Sequence, residues 1–289
     1  MSEKGGARRQ RLALIFFAAF LVSVYAWNVA SRVAWDSGQV RILVLEFLPP
    51  GAEPSEGLRR FNEADSSAEA SLQSAGAWLA GEFAEHRVAK TDLDVDFVVS
   101  GPHAVPIDPP DLAESGLVGW RRGLRALSYY WYWRRLAADL GADFEGFDAR
   151  LVVLLEPDAS RDIESGSVAD PKQRFGVVRL DADLPDPNYA AITLLHELGH
   201  ALGAGDKYDP TTYRARWPEG FAEPGRTPVF PQRFGELMAI DIPLGPSSER
   251  EPRDLSELRI GARTAAEFGW IPPSLAVEHY EGTASRPAP

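Results

Sequence analysis

One short segment of the chain holds residue types that could bind a metal ion and move a proton. It reads His196-Glu197-Leu198-Gly199-His200, and Asp206 follows it closely. Residues four apart share one face of a helix, so the two imidazoles could bind one Zn²⁺ at about 2.0–2.1 Å. Glu197 would then point beside the metal, where its carboxylate could take a proton from a zinc-activated water. The spacing therefore predicts a zinc site with a general base next to it.

A catalytic zinc ion usually keeps three protein ligands, so the two histidines need a partner. On a continuous helix, Asp206 would lie about 9 Å beyond His200 along the axis. The chain must therefore turn back, and Gly203 stands where a helix would stop and can adopt a positive φ. Gly205 would loosen the return. We expect Asp206 to be the third ligand, with Glu236 as the alternative in a zinc peptidase of a different class.

These residues resemble the metzincin family of zinc endopeptidases, whose pattern is His-Glu-x-x-His-x-x-Gly-x-x-His or Asp followed by a methionine-containing turn. The resemblance extends to Glu236-Leu237-Met238-Ala239 as the Met-turn. It implies one catalytic Zn²⁺ and a Met238 sulfur that forms an apolar floor under the metal without ligating it. The matching positions are His196, Glu197, His200, Gly203, Asp206 and Met238.

Three features depart from the family pattern. The third ligand is an aspartate, as in a minority of members, and position 240 is Ile where some members carry a tyrosine near the metal. The chain has no cysteine, so a cysteine-switch propeptide is excluded. A tyrosine that stabilises the transition state would have to be Tyr208 or Tyr213.

The expected activity is hydrolysis of peptide bonds in a peptide or protein substrate, with Glu197 as general base. A rival from another class is a non-catalytic, zinc-stabilised binding module tethered to a membrane. Structural zinc sites normally have four ligands, and no fourth His or Cys lies near this motif. The spacing therefore favours the enzyme.

The elements that must position these residues can be predicted from apolar periodicity and turn residues. Asp186 should cap a helix that begins at Pro187 and carries the motif. The order of these elements predicts a mixed sheet backed by helices. The metzincin resemblance implies the rest of the expected α+β fold: a twisted sheet, an active-site helix, and a small C-terminal subdomain with the Met-turn and one helix. The predicted strands are Val40–Leu48, Leu93–Ser100, Leu151–Leu155 and Phe175–Leu180, and the other predicted helices are Ser66–Arg87, Leu117–Leu140 and Leu255–Trp270.

Two segments are expected to contact the substrate. Phe175–Leu180, just before the motif helix, would be the edge strand that pairs with an extended peptide. The Pro-rich, aromatic stretch Tyr208–Phe234 would form a wall of the pocket.

The N-terminal region predicts a membrane anchor. Residues 12–31 carry no charge, are largely apolar and would span about 30 Å as a helix, the thickness of a bilayer core. The basic residues of segment 1–11 would keep the N-terminus cytoplasmic. The chain after the anchor would then be extracytoplasmic, which means either periplasmic or extracellular. A cleaved signal peptide is the alternative, but the apolar stretch is long for one. We expect a single-pass signal-anchor, a spacer at 32–39, a catalytic domain at 40–280 and a disordered tail at 281–289.

The overall composition limits the partners. With 30 Lys and Arg against 42 Asp and Glu, the formal net charge is −12. Phosphate contacts need a basic face, so nucleic acid is not expected as a partner. The expected partners are a peptide substrate and the lipid bilayer.

Overall fold

The computed structural model describes residues 33–63, 70–86, 92–104, 120–142, 144–156, 168–172 and 174–281. The predicted membrane anchor at 12–31 lies outside these residues, as does the predicted tail beyond Glu281. Among the residues described, no helix combines the length and the apolar character needed to cross a bilayer.

The centre of the fold is a five-stranded sheet in the order β2-β1-β3-β5-β4. Four of its strands run parallel, and β4 pairs antiparallel with β5. This confirms the expected mixed sheet and its four predicted strands. The short β4 was missed because three residues are too few to show a periodicity. The strands are β1 (Gln39–Leu48), β2 (Asp94–Ala104), β3 (Ala149–Glu156), β4 (Val168–Asp170) and β5 (Phe175–Asp181).

The prediction that Phe175–Leu180 forms the sheet edge is wrong. β5 pairs with β3 on one side, and on the other side its first three residues pair with Val168–Asp170. Among the described strands, the edge on the side of β5 is therefore β4.

Helices cover both faces of the sheet. Six α-helices lie in the described residues: α1 (Glu56–Asn62), α2 (Leu72–His86), α3 (Trp120–Asp139), α4 (Pro187–Ala201), α5 (Ala262–Glu267) and α6 (Pro273–Glu281). Residues of α2 and α4 share one core with Ile42 and Val44, whereas α3 packs with Leu43 and Leu45 on the other face. The alternation of strands and helices makes the architecture mixed α/β with a largely parallel sheet, where α+β was expected. Burial on both faces explains why β1 is almost continuously apolar.

The C-terminal region after α4 differs from the prediction of a single helix at Leu255–Trp270, which is wrong. Leu255–Glu257 is a 3₁₀ turn capped by Asp254, and Leu258–Arg259 (β9) pairs with Gly235–Glu236 (β6). Only then does α5 begin, and it stops before Gly269, whose φ is +81°. The apolar periodicity is present in the sequence, but the pairing of β9 with β6 and the positive φ of Gly269 divide the segment into a 3₁₀ turn, a short strand and a helix. A second hairpin joins β7 (Ile242–Gly245) and β8 (Ser248–Arg250).

Candidate metal centre

Helix α4 carries both histidines, and its start agrees with the prediction. Asp186 is the N-cap, and its Oδ1 accepts hydrogen bonds from the backbone N–H groups of Asn188 and Tyr189 at 3.2 and 3.3 Å. Pro187 occupies the first turn, where its missing N–H is not needed. The helix therefore begins where the sequence indicates and brings its histidine pair to its C-terminal end.

The chain turns back after α4, and Gly203 makes the turn. Its φ is +106°, a value that a residue with a Cβ adopts only with strain. Its N–H donates to His200 O at 3.0 Å, and the N–H of Ala204 donates to Gly199 O at 2.9 Å. The predicted role of Gly203 is thus confirmed. Gly205 has no positive φ, and a Cβ there would meet no atom within 4 Å.

The return brings three potential ligand atoms together. Nε2 of His196 and Nε2 of His200 lie 3.1 Å apart, and Oδ1 of Asp206 lies 3.5 and 3.0 Å from them. Ligands placed about 2 Å from a tetrahedral ion are separated by about 3.3 Å. The three residues could therefore hold a metal ion, and the spacing of their atoms fits one of zinc's size.

Backbone carbonyls fix the orientation of both imidazoles. Nδ1 of His196 lies 3.1 Å from Leu237 O, and Nδ1 of His200 lies 2.9 Å from Ala204 O. A carbonyl oxygen only accepts, so each neutral ring carries its proton on Nδ1 and turns a lone pair on Nε2 inward. Oδ1 of Asp206 is shielded from solvent and then receives no hydrogen bond. Three acceptor atoms that converge in this way require a cation or a proton between them.

The charges of the site agree with this requirement. Burial lowers the pKa of His200, but a protonated ring would donate to Asp206 and be attracted by its charge, and these effects outweigh burial and raise the pKa above its ordinary value. Burial raises the pKa of Asp206, yet its interactions with His196 and His200 hold it well below the ordinary range. Asp206 is thus a carboxylate across the whole neutral range, as a metal ligand must be.

The predicted Met-turn packs against α4 between the two histidines. Met238 is fully buried, and a Cβ added at Gly199 would lie 2.5 Å from its sulfur. Besides Leu237 O on His196, the turn supplies Met238 O, which accepts a hydrogen bond from Lys207 N at 2.8 Å. Ile240 ends the turn with φ +66°, a strained value for a β-branched residue. The carbonyls of Leu237 and Met238 thus contact one candidate ligand, His196, and Lys207, which directly follows another, Asp206.

Glu236, the alternative third ligand, is occupied elsewhere. One carboxylate oxygen accepts from Met238 N at 2.7 Å, and the other accepts from Gly261 N at 3.1 Å and Thr264 Oγ1 at 2.6 Å. Burial is complete and raises the pKa of Glu236 despite these bonds. The structure brings Asp206, and not Glu236, to the two histidines.

The remaining predicted site residues lie around this centre. Glu197 is buried, and its charge acts on His200 in the direction that raises the histidine's pKa. Tyr208 and Tyr213 follow Asp206 on a hairpin, with ring centroids 6.1 Å apart, and Tyr213 is 57% exposed. The transition-state role of either tyrosine stays a prediction.

Two residues at the site escaped sequence reasoning. Lys207 is buried and Glu267 of α5 lies 2.6 Å from its Nζ, although the two are 60 positions apart. The only sequence signal is a cation directly after the ligand Asp206, and a charged residue at that place ordinarily indicates solvent exposure.

Comparison with known proteins adds no assignment. No protein-family model matches this chain, and no curated protein sequence matches it.

Proposed function

We propose that this chain is a zinc-dependent endopeptidase of the metzincin type. The observation that carries the proposal is the convergence of two inward-facing imidazole lone pairs and one shielded carboxylate oxygen at 3.0–3.5 Å. Three ligands leave a fourth position open, which is the arrangement of a catalytic zinc site and not of a structural one. A non-catalytic zinc module has no comparable support.

Zn²⁺ at this position would polarise the scissile carbonyl and lower the pKa of a water toward about 7. The residues of the chain supply the rest. Glu197 accepts the proton of the attacking water and returns it to the departing amine. The carbonyls of Leu237 and Ala204 would accept the Nδ1 protons of His196 and His200, which leaves the Nε2 lone pairs of both rings for the metal.

The sheet edge next to α4 offers a place for the substrate backbone. β4 is outermost among the described strands on that side, and it lies against α4 as well as β5. An extended peptide added to that edge would run beside the helix that carries the histidines. The aromatic stretch Tyr208–Phe234 would form the opposite wall, where Trp217, Phe221 and Phe230 pack together.

The proposal includes a membrane location. The uncharged segment 12–31 would anchor the protein with its N-terminus in the cytoplasm and its catalytic domain outside. Extraction of native membranes with alkaline carbonate tests the anchor, because an anchored protein stays in the pellet.

The test of the activity is metal analysis of the purified full chain together with cleavage of a mixed peptide library. We expect about one zinc per chain, cleavage that a chelator abolishes, and recovery when zinc is restored. Glu197→Gln should retain zinc and lose about 10²–10⁴-fold in cleavage rate, because it keeps the shape and loses the base. Zinc-loaded protein that cleaves no peptide, or full cleavage by the Gln variant, would contradict the proposal.

A further inference from the structure

The turn that presents Asp206 is fixed by an unusual neighbour. Lys207 is only 2% exposed, and a buried ammonium must be paired and hydrogen-bonded to be tolerated. Its Nζ donates to Gly205 O at 2.6 Å and to Glu267 Oε2 at 2.6 Å. The first bond joins the residues on either side of Asp206, and the second ties them to α5.

The backbone of Lys207 is equally constrained. Its N–H donates to Met238 O at 2.8 Å, and its C=O accepts from Arg216 N at 2.7 Å. Gly220 presses so close that a Cβ there would lie 2.2 Å from Lys207 O. The side chain of Arg216 also donates to Asp206 O at 2.7 Å. Lys207 is therefore held through its backbone N–H, its carbonyl and its ammonium.

Glu267, the last residue of α5, completes the arrangement. The same Oε2 that receives Lys207 Nζ also accepts from Gly205 N at 3.2 Å. Its other oxygen accepts from Arg263 Nε at 3.0 Å on the solvent side of α5. One carboxylate thus holds both ends of the Gly205–Lys207 turn.

We infer that the buried Lys207–Glu267 ion pair is a positioning device for the third metal ligand, fixing the turn that aims Oδ1 of Asp206 at the two imidazoles. This inference rests on the proposed metal site and adds the residues that set its affinity. Asp206 is 39% exposed on its side chain and is not held by packing alone, so its aim depends on its two neighbours. Partners that orient a ligand without touching the metal typically change affinity about 10–100-fold when removed.

A purely structural pair would behave differently when both charges are removed. Lys207→Met keeps the aliphatic stem but removes the ammonium from the buried side of Glu267 and leaves only Arg263 as its charged partner, which costs stability. The double variant Lys207→Met/Glu267→Gln removes both charges, and such a change is often neutral for folding. It still lacks the ammonium that binds Gly205 O, so stability and metal affinity should separate.

The experiment measures zinc affinity of the full chain by competition with a chromophoric chelator, the visible spectrum of the Co²⁺ form, and the unfolding midpoint of the metal-free protein. We expect the double variant to recover a near wild-type midpoint while its zinc affinity stays about 10–100-fold lower and its Co²⁺ spectrum changes. The matched control is Arg263→Met, which removes the other partner of Glu267 and leaves the turn untouched, so it should keep wild-type affinity.

Each other outcome has a defined meaning. A double variant with wild-type stability and wild-type zinc affinity overturns the positioning role and leaves the proposed function standing. A wild-type chain that binds neither zinc nor Co²⁺ overturns the proposed function itself. If the double variant does not fold, Glu267→Met alone replaces it, because it keeps the length of the side chain and removes the acceptor of both Lys207 Nζ and Gly205 N. Unchanged affinity and spectrum in that variant overturn the inference.

Discussion

The sulfur of Met238 fills the space beside Gly199, between the two histidines of α4, so closely that a Cβ at position 199 would lie 2.5 Å from it. A glycine inside a helix costs about 1 kcal/mol relative to alanine, and the glycine at position 199 leaves room for Met238 to pack against the helix. The same contact places the carbonyl of Leu237 on His196. Gly199 and Met238 therefore pack directly against each other, next to the candidate ligands His196 and His200.

Gly199→Ala should destabilise the protein by about 1 kcal/mol, because overpacking of about 1–3 kcal/mol exceeds the gain in helix propensity. In a Met238→Ala background the same change should cost nothing or stabilise, since the new methyl enters vacated space. Chemical denaturation of the wild type, the two single variants and the double variant gives the interaction free energy between positions 199 and 238. If Gly199→Ala lowers the free energy of unfolding equally in the wild-type and Met238→Ala backgrounds, the two residues do not compete for space.

Gly203→Ala should destabilise by about 1–3 kcal/mol and weaken zinc binding, because a Cβ is strained at φ +106°. Gly205→Ala is the control, two residues further along the same return, where a Cβ meets nothing within 4 Å. It should change stability by less than about 0.5 kcal/mol. Denaturation curves and zinc titrations of both variants check this. If Gly203→Ala changes neither stability nor zinc binding, the turn does not depend on the positive φ of Gly203.

Asp206→Ala and Glu236→Gln should distinguish a residue that binds the metal from one that stabilises the fold around it. The first removes a ligand atom and should lower zinc affinity by more than the roughly 10–100-fold typical of orienting residues. The second replaces a buried acceptor of three hydrogen bonds, which should cost about 1–3 kcal/mol of stability while zinc affinity falls less than tenfold. The reverse pattern would make Glu236 the ligand.

Glu46 should make stability depend on pH. Burial raises its pKa to about 7, with the hydrogen bond from Asn62 opposing the shift. The folded state therefore holds the proton more tightly than the unfolded state, and stability falls as pH rises from about 4.5 to about 7, by roughly 3 kcal/mol in total. Glu46→Gln should flatten this part of the stability curve, whereas Glu53→Gln, at an exposed position, should leave the slope as it is. An unchanged slope in Glu46→Gln would assign the effect to other groups.

The local parts of this structure could be predicted, and the non-local parts could not. The cap at Asp186, the stop at Gly203 and four strands follow from short-range chemistry that one stretch of sequence contains. The sheet edge could not be predicted because β4 has only three residues, and its place depends on pairing with Gly176 and its neighbours. The helix predicted at Leu255–Trp270 failed because pairing of Leu258–Arg259 with Gly235–Glu236 overrides the local periodicity.

The site itself divides in the same way. His196, Glu197 and His200 are recognisable by spacing, and Asp206 follows from the number of ligands that zinc needs. The carbonyl partners of the imidazoles and the Lys207–Glu267 pair depend on contacts between segments far apart in sequence, which no local pattern encodes.

Because Lys207 contacts a carboxylate 60 positions later in the chain, and His196 a carbonyl 41 positions later, the centre depends on residues synthesised well after the two histidines. A nascent chain that has emerged only as far as α4 contains both histidines but not the later residues that orient the site. Metal binding is therefore expected to require synthesis past Glu267.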